Sequence, residues 1–382
     1  MKKKIIIFSG SRADYGILRP LLSALKKKRN FNTKFLVNSH HNNKKYGLTI
    51  KQIIADKIKI DHIFKNFQKN TSLKSLVKFG SKSFIDFFKY IIKEKPNLVI
   101  VLGDRYEVFF FSLCAYFAGV NICHLHGGEV TNGSFDEGLR HSISKFSKLH
   151  FVVHKNYKKR LINLGENPNF IFDFGSISVA QIKEKIIFEN KKKLYKRYKI
   201  SNNKKVILVT IHSETTGGEN FLKKLNQVYS ALNELNEYFY IFTLNNQDPL
   251  GDQMYAKLTK FKKKNLSNTL IIKSMGSKLY YDFLKNVDLV MGNSSSGIIE
   301  APSLKTPTLN LGERQNGRVF APSIFHSNFR KKNIKSKIKN IFSAKVKYRS
   351  IFYKRNTIKR MIKEINNFLK IKNYNKKFYD KK

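Results

Sequence analysis

Short apolar runs alternate with longer amphipathic stretches along most of the chain, the pattern of strands and helices wound into a parallel sheet. In the first half, strands are predicted at 5–9, 34–37, 98–102, 122–125 and 151–153. Their apolar positions are continuous, as burial on both faces requires. Helical periodicity fills the intervals, for instance around 73–92 and 108–118. The rhythm breaks near Gly175, and 181–205 is charged and helix-prone, with no strand signal. A second series then predicts strands at 206–211, 239–244, 270–272, 289–291 and 308–311. The expected fold is therefore α/β, with two Rossmann-like domains. One spans 1–176 and carries the candidate carboxylates. The other spans 177–355 and binds nucleotide, with a C-terminal helix and basic frayed tail at 356–382. No internal repeat of fixed period is visible.

At 382 residues the chain exceeds one ordinary core. Its 41% hydrophobic content, with 32 Phe, suffices for two. The net charge is +48, a value that invites a nucleic-acid partner. The lysines, however, are spread in short runs such as 26–28, 191–193 and 262–264, among Asn, Ile and Phe. That distribution describes a compositional bias and a solvated surface, and a field that steers phosphates inward. No nucleic-acid partner is expected. Two cysteines, Cys114 and Cys123, form no disulfide framework and suit a reducing, cytoplasmic setting. The opening MKKKIIIFSGSRAD has an apolar run too short for a signal peptide, with Arg12 and Asp14 following at once. No apolar stretch reaches bilayer length, so no membrane partner is expected.

Ligands of open α/β sheets bind at the carboxyl ends of the strands. The polar clusters fall there: SGSRAD, GDRYE, HLHGGE, HSETTGG, NNQD and GNSSSG. For them to act together, both domains must face one interdomain cleft. Ser294, Ser295 and Ser296 lie between glycines at a helix start, where free N–H groups favour phosphate. One serine would suffice for a plain cap. Glu300, one turn on, is placed to accept from ribose hydroxyls or to face solvent. Arg12 and Arg314 each follow a strand, as pyrophosphate forks or as solvated loop residues. Asp104 is either a cleft carboxylate or a helix cap. His124 and His126 share a side if the stretch is extended, but two ligands without a third do not make a metal site. Ser134 and Glu137 match a capping box. Asp136 and Arg140, four apart, share a helix face. His212 is placed to donate to phosphate or to carry a proton.

In this order, GSRADYG, GDRYE, HGGE, the stretch around Asp136-Glu137 and Arg140-His141, and GNSSSGIIEAPSL resemble one family, the hydrolysing UDP-N-acetylglucosamine 2-epimerases of sialic-acid synthesis. The resemblance runs from about Ile5 to Arg318. It implies two Rossmann-like domains of the GT-B type with UDP in the cleft, and the reaction of UDP-N-acetylglucosamine with water to give N-acetylmannosamine and UDP. On matching positions Arg12, Arg105, His212, Ser294, Ser295, Glu300 and Arg314 would hold the nucleotide, with Asn246 of the NNQD loop. Asp104, Glu129 and Asp136 would be the catalytic carboxylates, Arg140 would support Asp136, and His41 would stand near the sugar.

Three departures touch the sugar and uridine edges: Ser213 where the family has proline, Pro249 to Asp252 after the Asn246 loop, and NSHH before Asn42. The same reaction on a UDP- or GDP-linked 2,4-diacetamido sugar, a non-hydrolysing epimerase and a GT-B glycosyltransferase are the competing readings. The expected partner is a small nucleotide sugar. No metal or cofactor is called for, and a homo-oligomer, dimer or tetramer, is expected.

Overall fold

The computed structural model describes residues 2–42, 48–66, 68, 72–214, 218–244, 250–372 and 374–380. Two compact units emerge. The first comprises Met1–Glu129, Phe135–Gln181 and Phe352–Lys382, and the second Val130–Ser134 and Ile182–Ile351.

The first unit holds a parallel sheet of β1 (Lys3–Ser9), β2 (Phe31–Asn38), β3 (His62–Phe64), β4 (Leu98–Leu102), β5 (Ile122–Leu125), β6 (Leu149–Val152) and β7 (Ile171–Asp173), ordered β3-β2-β1-β4-β5-β6-β7. Its helices are α1 (Arg12–Lys26), α2 (Thr49–Ala55), α3 (Leu73–Glu94), α4 (Tyr106–Phe117), α5 (Asp136–Phe146) and α6 (Lys155–Asn163). In β1, Ile5 and Ile7 join one core while Ile6 and Phe8 join another, so alternate residues of one strand feed both faces. Helix α7 (Ile177–Glu184) carries the chain out of this unit.

The second unit repeats the plan with α8 (Lys191–Arg197), β8 (Val206–Thr210), α9 (Gly218–Asn233), β9 (Phe239–Thr243), α10 (Gly251–Lys264), β10 (Thr269–Ile272), α11 (Gly276–Asn286), β11 (Leu289–Gly292), α12 (Ser295–Ile299), β12 (Thr308–Leu311), β13 (Ile324–Ser327) and α13 (Lys331–Ser343). Its sheet order is β10-β9-β8-β11-β12-β13, and its strand pairs are parallel. Both sheets reverse strand order beside their first strand, between β1 and β4 and between β8 and β11. A fold of this kind places its ligands at such switch points.

The stretch at 356–382, expected to stand apart, belongs to the first unit. Helix α14 (Thr357–Phe368) buries Met361, Ile365 and Phe368 in the core that holds α1. Each such side chain contributes about 1.5–3 kcal/mol on burial. Residues 374–380 continue along the same unit, and Tyr374 packs on Phe170 with ring centres 4.4 Å apart. No described helix is long and apolar enough to cross a membrane. Cys114 and Cys123 are free and buried, and burial pushes the Cys114 thiol up to about 12.

Candidate active site

At the β1–β4 switch point, buried ionisable groups cluster in the first unit. Asp14, in the first turn of α1, accepts from the backbone N–H groups of Gly10 (2.9 Å) and Ser11 (3.0 Å). Burial pushes its carboxyl up to about 7, against the pull of Arg105. Glu107, wholly buried on α4, behaves oppositely. Burial raises it, but Arg105 and His40 overcome that and hold it down at about 2. The Arg105 guanidinium meets Glu107 at 3.2 and 3.1 Å, and His40 Nδ1 lies 2.7 Å from its Oε1. Arg105 thus sits at the strand tip with a buried carboxylate at its back. His41 Nε2 lies 3.2 Å from the carbonyl oxygen of Ser9 and 3.0 Å from its hydroxyl. Since a carbonyl only accepts, Nε2 carries the proton. Burial lowers the imidazole to about 3, which keeps it neutral. Arg12 is the first residue of α1, with Ser11 as its cap.

A second cluster forms one and two strands further along. Arg140, on the buried face of α5, donates to Asp104 at the tip of β4. Burial works against its charge, but Asp104, Glu129, Asp136 and Glu137, in falling order, raise its pKa. Asp104 bonds the guanidinium and Glu137 lies 3.9 Å from it, while Glu129 and Asp136 act on it through their charge. Asp104 is not a cap, because Arg105 occupies the N-cap position of α4.

His126 takes a left-handed backbone (φ 65°), so the stretch is not extended there, and the two imidazoles take different partners. His126 Nδ1 meets Glu129 at 2.7 Å. His124 Nε2 donates to Gly103 O at 2.7 Å, and its Nδ1 lies 3.0 Å from Ser144 Oγ. His124 is fully buried, and burial lowers it to about 3. Helix α5 starts at Asp136, after Phe135 with helical backbone angles (φ -57°, ψ -27°), and Glu137 lies 3.1 Å from His141 and 3.9 Å from Arg140. Among the described residues, no group of three or more His, Cys, Asp or Glu is arranged to hold a metal ion.

In the second unit the switch point is built chiefly from amides and hydroxyls. Asn293 closes β11 and clamps the end of β8: its Oδ1 accepts from His212 N–H at 2.7 Å, and its Nδ2 donates to His212 O at 2.9 Å. The clamp needs Gly292 before it, since a Cβ there would stand 1.9 Å from Thr210 O. Arg314 and Gln315 reach back to Asn293 O at 3.2 and 2.7 Å. Ser294 caps α12, accepting from Ser296 N–H at 3.4 Å. Ser296, in turn, is bonded to the phenol of Tyr280. Tyr280 is half-buried, and desolvation pushes its phenol up, with Ser296, Glu300 and Thr210 in its surroundings. Thr210 and Thr243 hydroxyls lie 2.9 Å apart. Ser295 opens α12 and buried Glu300 ends it. Val130–Ser134 belong here as well: Asn132 N–H donates to Arg314 O at 3.0 Å, and Arg318 donates to Val130 O at 2.8 Å. Arg314 also lines a cavity of about 610 Å³ with Glu214, Lys224 and Phe329.

His212, Ser294, Ser295, Glu300 and Arg314 thus share one sheet edge in the second unit. Arg12, Arg105, His41, Asp104, Glu129, Asp136 and Arg140 occupy the strand tips of the first. Asn246 lies outside the described residues. Sequence reading missed Asp14, His40, Glu107, Asn293 and Tyr280. The signal available for Glu107 was a carboxylate within the otherwise apolar helix YEVFFFSLCAYF.

A family model described as UDP-N-acetylglucosamine 2-epimerase matches residues 23–366. Among curated relatives, the polysialic acid biosynthesis protein P7 of Escherichia coli is 36% identical, over 99% of this chain and 97% of its own. The GDP/UDP-N,N'-diacetylbacillosamine 2-epimerase (hydrolyzing) of Campylobacter jejuni is 35% identical, over 85% of this chain and 84% of its own. Among solved structures, an S. aureus MnaA–UDP co-structure superposes with a TM-score of 0.79 at 20% identity, covering 97% of each chain. That likeness concerns the fold, two Rossmann-like domains of the GT-B type. The match spans both units and takes in the strand tips where the carboxylates and the serine loop stand, so the chain belongs to the UDP-N-acetylglucosamine 2-epimerase family and is a UDP-sugar 2-epimerase.

Proposed function

We propose that the chain is a hydrolysing epimerase: it takes UDP-N-acetylglucosamine and water to N-acetylmannosamine and UDP. The observation that carries this reading is the buried Arg140 with Asp104, Glu129, Asp136 and Glu137 around it. Asp104 is bonded to Arg140 while Glu129 has His126 at 2.7 Å, so the carboxylates stand in different surroundings, as acid and base work requires.

The C2 proton is not acidic in the bound sugar, so departure of UDP from C1 leads or accompanies its removal. Breaking the C1–O bond leaves the electron pair on the diphosphate. The C2 proton passes to a carboxylate and a 2-acetamidoglucal remains. A second carboxyl returns a proton to C2 from the opposite face, and water adds at C1. Glu129 and Asp136 handle the C2 proton, with Asp104 assisting departure or hydration. His126, 2.7 Å from Glu129, holds that carboxylate. In the second unit His212, Ser294, Ser295, Glu300 and Arg314 bind UDP, with neutral donors directed at the leaving group. Two free buried thiols fit a reducing compartment.

A second reading keeps the reaction and changes the donor to a nucleotide-linked 2,4-diacetamido sugar. It is favoured by the printed name of the Campylobacter relative, as a sialic-acid-type product is by that of the E. coli relative. Incubation with each donor in D₂O, followed by NMR, tests both. Free N-acetylmannosamine deuterated at C2 is the expected product. Turnover of the diacetamido donor alone transfers the assignment to the second reading. A UDP-linked epimer, with no free sugar, overturns hydrolysis.

A further inference from the structure

Helix α5 bears Asp136 on its first turn and Arg140 one turn on, and its far end is held by a residue more than two hundred positions away. The Lys376 ammonium donates to Lys145 O and Ser147 O at 2.7 Å each, and to Ser144 O at 3.4 Å. Lys145 O is among the carbonyls that a helix end leaves without an intrahelical partner, Ser144 O also takes Ser147 N–H at 3.1 Å, and a cation there opposes the helix dipole. The same ammonium pairs with buried Glu166 at 2.5 Å, which also takes Lys145 at 2.8 Å and His150 at 3.1 Å. Burial raises Glu166, but His150, Lys376 and Lys145 hold it down at about 2.

The flanking residues are docked as closely. Lys148 donates to Tyr374 O at 3.0 Å, and Tyr379 N–H to Gly165 O at 2.9 Å. The Phe378 ring fills the place of a Gly165 side chain, where a Cβ would lie 2.2 Å from it.

From this anchor a continuous set of contacts runs back to the carboxylates. The Ser144 hydroxyl reaches Arg140 O at 3.1 Å and His124 Nδ1 at 3.0 Å. His124 Nε2 then bonds Gly103 O, the carbonyl next to Asp104. Arg140 bonds Asp104 itself.

We propose that Lys376 is a positioning residue for the reaction: residues 374–380 strap the end of α5 and thereby fix where Asp136 and Arg140 stand relative to Asp104. This rests on the reading of the Arg140 cluster as the proton-transferring group. A helix released at one end can shift by a fraction of an ångström, and misplacement on that scale costs chemistry more than binding.

The test uses the full-length chain with Lys376→Met, which keeps the stem and removes the charge, and Lys376→Arg, which restores it. Lys376→Met is expected to lower kcat by about 10- to 100-fold, with KM and UDP affinity within twofold, and to speed hydrogen exchange in α5. Lys376→Arg is expected to recover most of both. Phe378→Ala, which loosens the strap while keeping Lys376 and Glu166, serves as the second variant should the first fail to fold. An unchanged kcat, or a loss matched by the fraction unfolded, overturns the proposal. If the wild-type chain turns over no nucleotide sugar, the functional reading fails on its own. The α5 exchange rates then decide the strap: unchanged rates in the variants refute it.

Discussion

The two units carry the same strand order and opposite chemistry at their strand tips. Around β1, β4 and β5 the buried groups are ionisable: Asp14, His41, Glu107, His124, Glu129 and Arg140. Around β8 and β11 they are chiefly amides and hydroxyls, Thr210, Asn293 and Gln315, with the buried carboxylates Glu214 and Glu300 and the half-buried Arg314 as charged members. Buried charges cost several kcal/mol unless paired, so a fold keeps them where protons or charge must move. Neutral donors are cheaper to bury and suit recognition of a fixed anion. The contrast supports the proposed division, with acid and base work in the first unit and the nucleotide on the second.

The largest expected effect comes from removing one ionisable carboxyl. Asp136→Asn, Glu129→Gln and Asp104→Asn should each lower turnover by about 10²–10⁴-fold, with UDP affinity by calorimetry unchanged within twofold. Full activity in all three would break the comparison at its root.

Next in size is a pH effect on stability. Burial raises the Asp14 carboxyl from 3.8 to about 7. A group raised on folding contributes stability that is complete below its unfolded pKa and is lost as pH rises through the folded value. The first unit should therefore weaken between about pH 4 and pH 7, by an amount on the order of a few kcal/mol. Asp14→Asn keeps an acceptor for Gly10 and Ser11 and should flatten that slope in thermal unfolding followed against pH. A slope that persists would assign the effect to other groups.

What the sequence made legible follows the same physics. Continuous apolar runs marked the strands buried on both faces, such as β1, β4, β8 and β11. The three strands that left no clear pattern, β3, β7 and β13, are short edge strands in which only part of each residue set is buried. Runs with polar members like HIF, IFD and IFHS cannot be told from loops by periodicity. The strap at 374–380 read as a frayed basic tail because its lysines look solvated until Glu166 and the end of α5 are brought to them. The HLHGGE stretch marked a strand end, but the left-handed backbone at His126 is a tertiary outcome at a residue type that seldom adopts it. Glu107 and His40 form a pair across 67 positions, and neither has a local signal that names the other.

In the second unit, Asn293→Ala should have a middling effect. It removes both bonds to His212 and leaves two backbone groups to find water, at a cost of about 1–3 kcal/mol. UDP affinity should fall about tenfold, with kcat at saturation nearly unchanged. A loss confined to kcat would place His212 in the proton chemistry and weaken the division between the units.

Tyr280→Phe should do least, and for an instructive reason. The phenol is bonded to Ser296 and has Thr210 in reach, while Thr210 also has Thr243 at 2.9 Å. Deleting it removes one neutral partner from a set whose remaining members can still pair with one another or with water. A neutral hydrogen bond contributes about 0.5–1.5 kcal/mol net, so UDP affinity should weaken only severalfold, with kcat and its pH profile unmoved. An equally small deletion in the first unit, Asp104→Asn, removes the carboxylate that Arg140 bonds directly. If Tyr280→Phe instead lowered kcat a hundredfold at saturating substrate, the phenol would be a proton carrier and the neutral rim would share the chemistry.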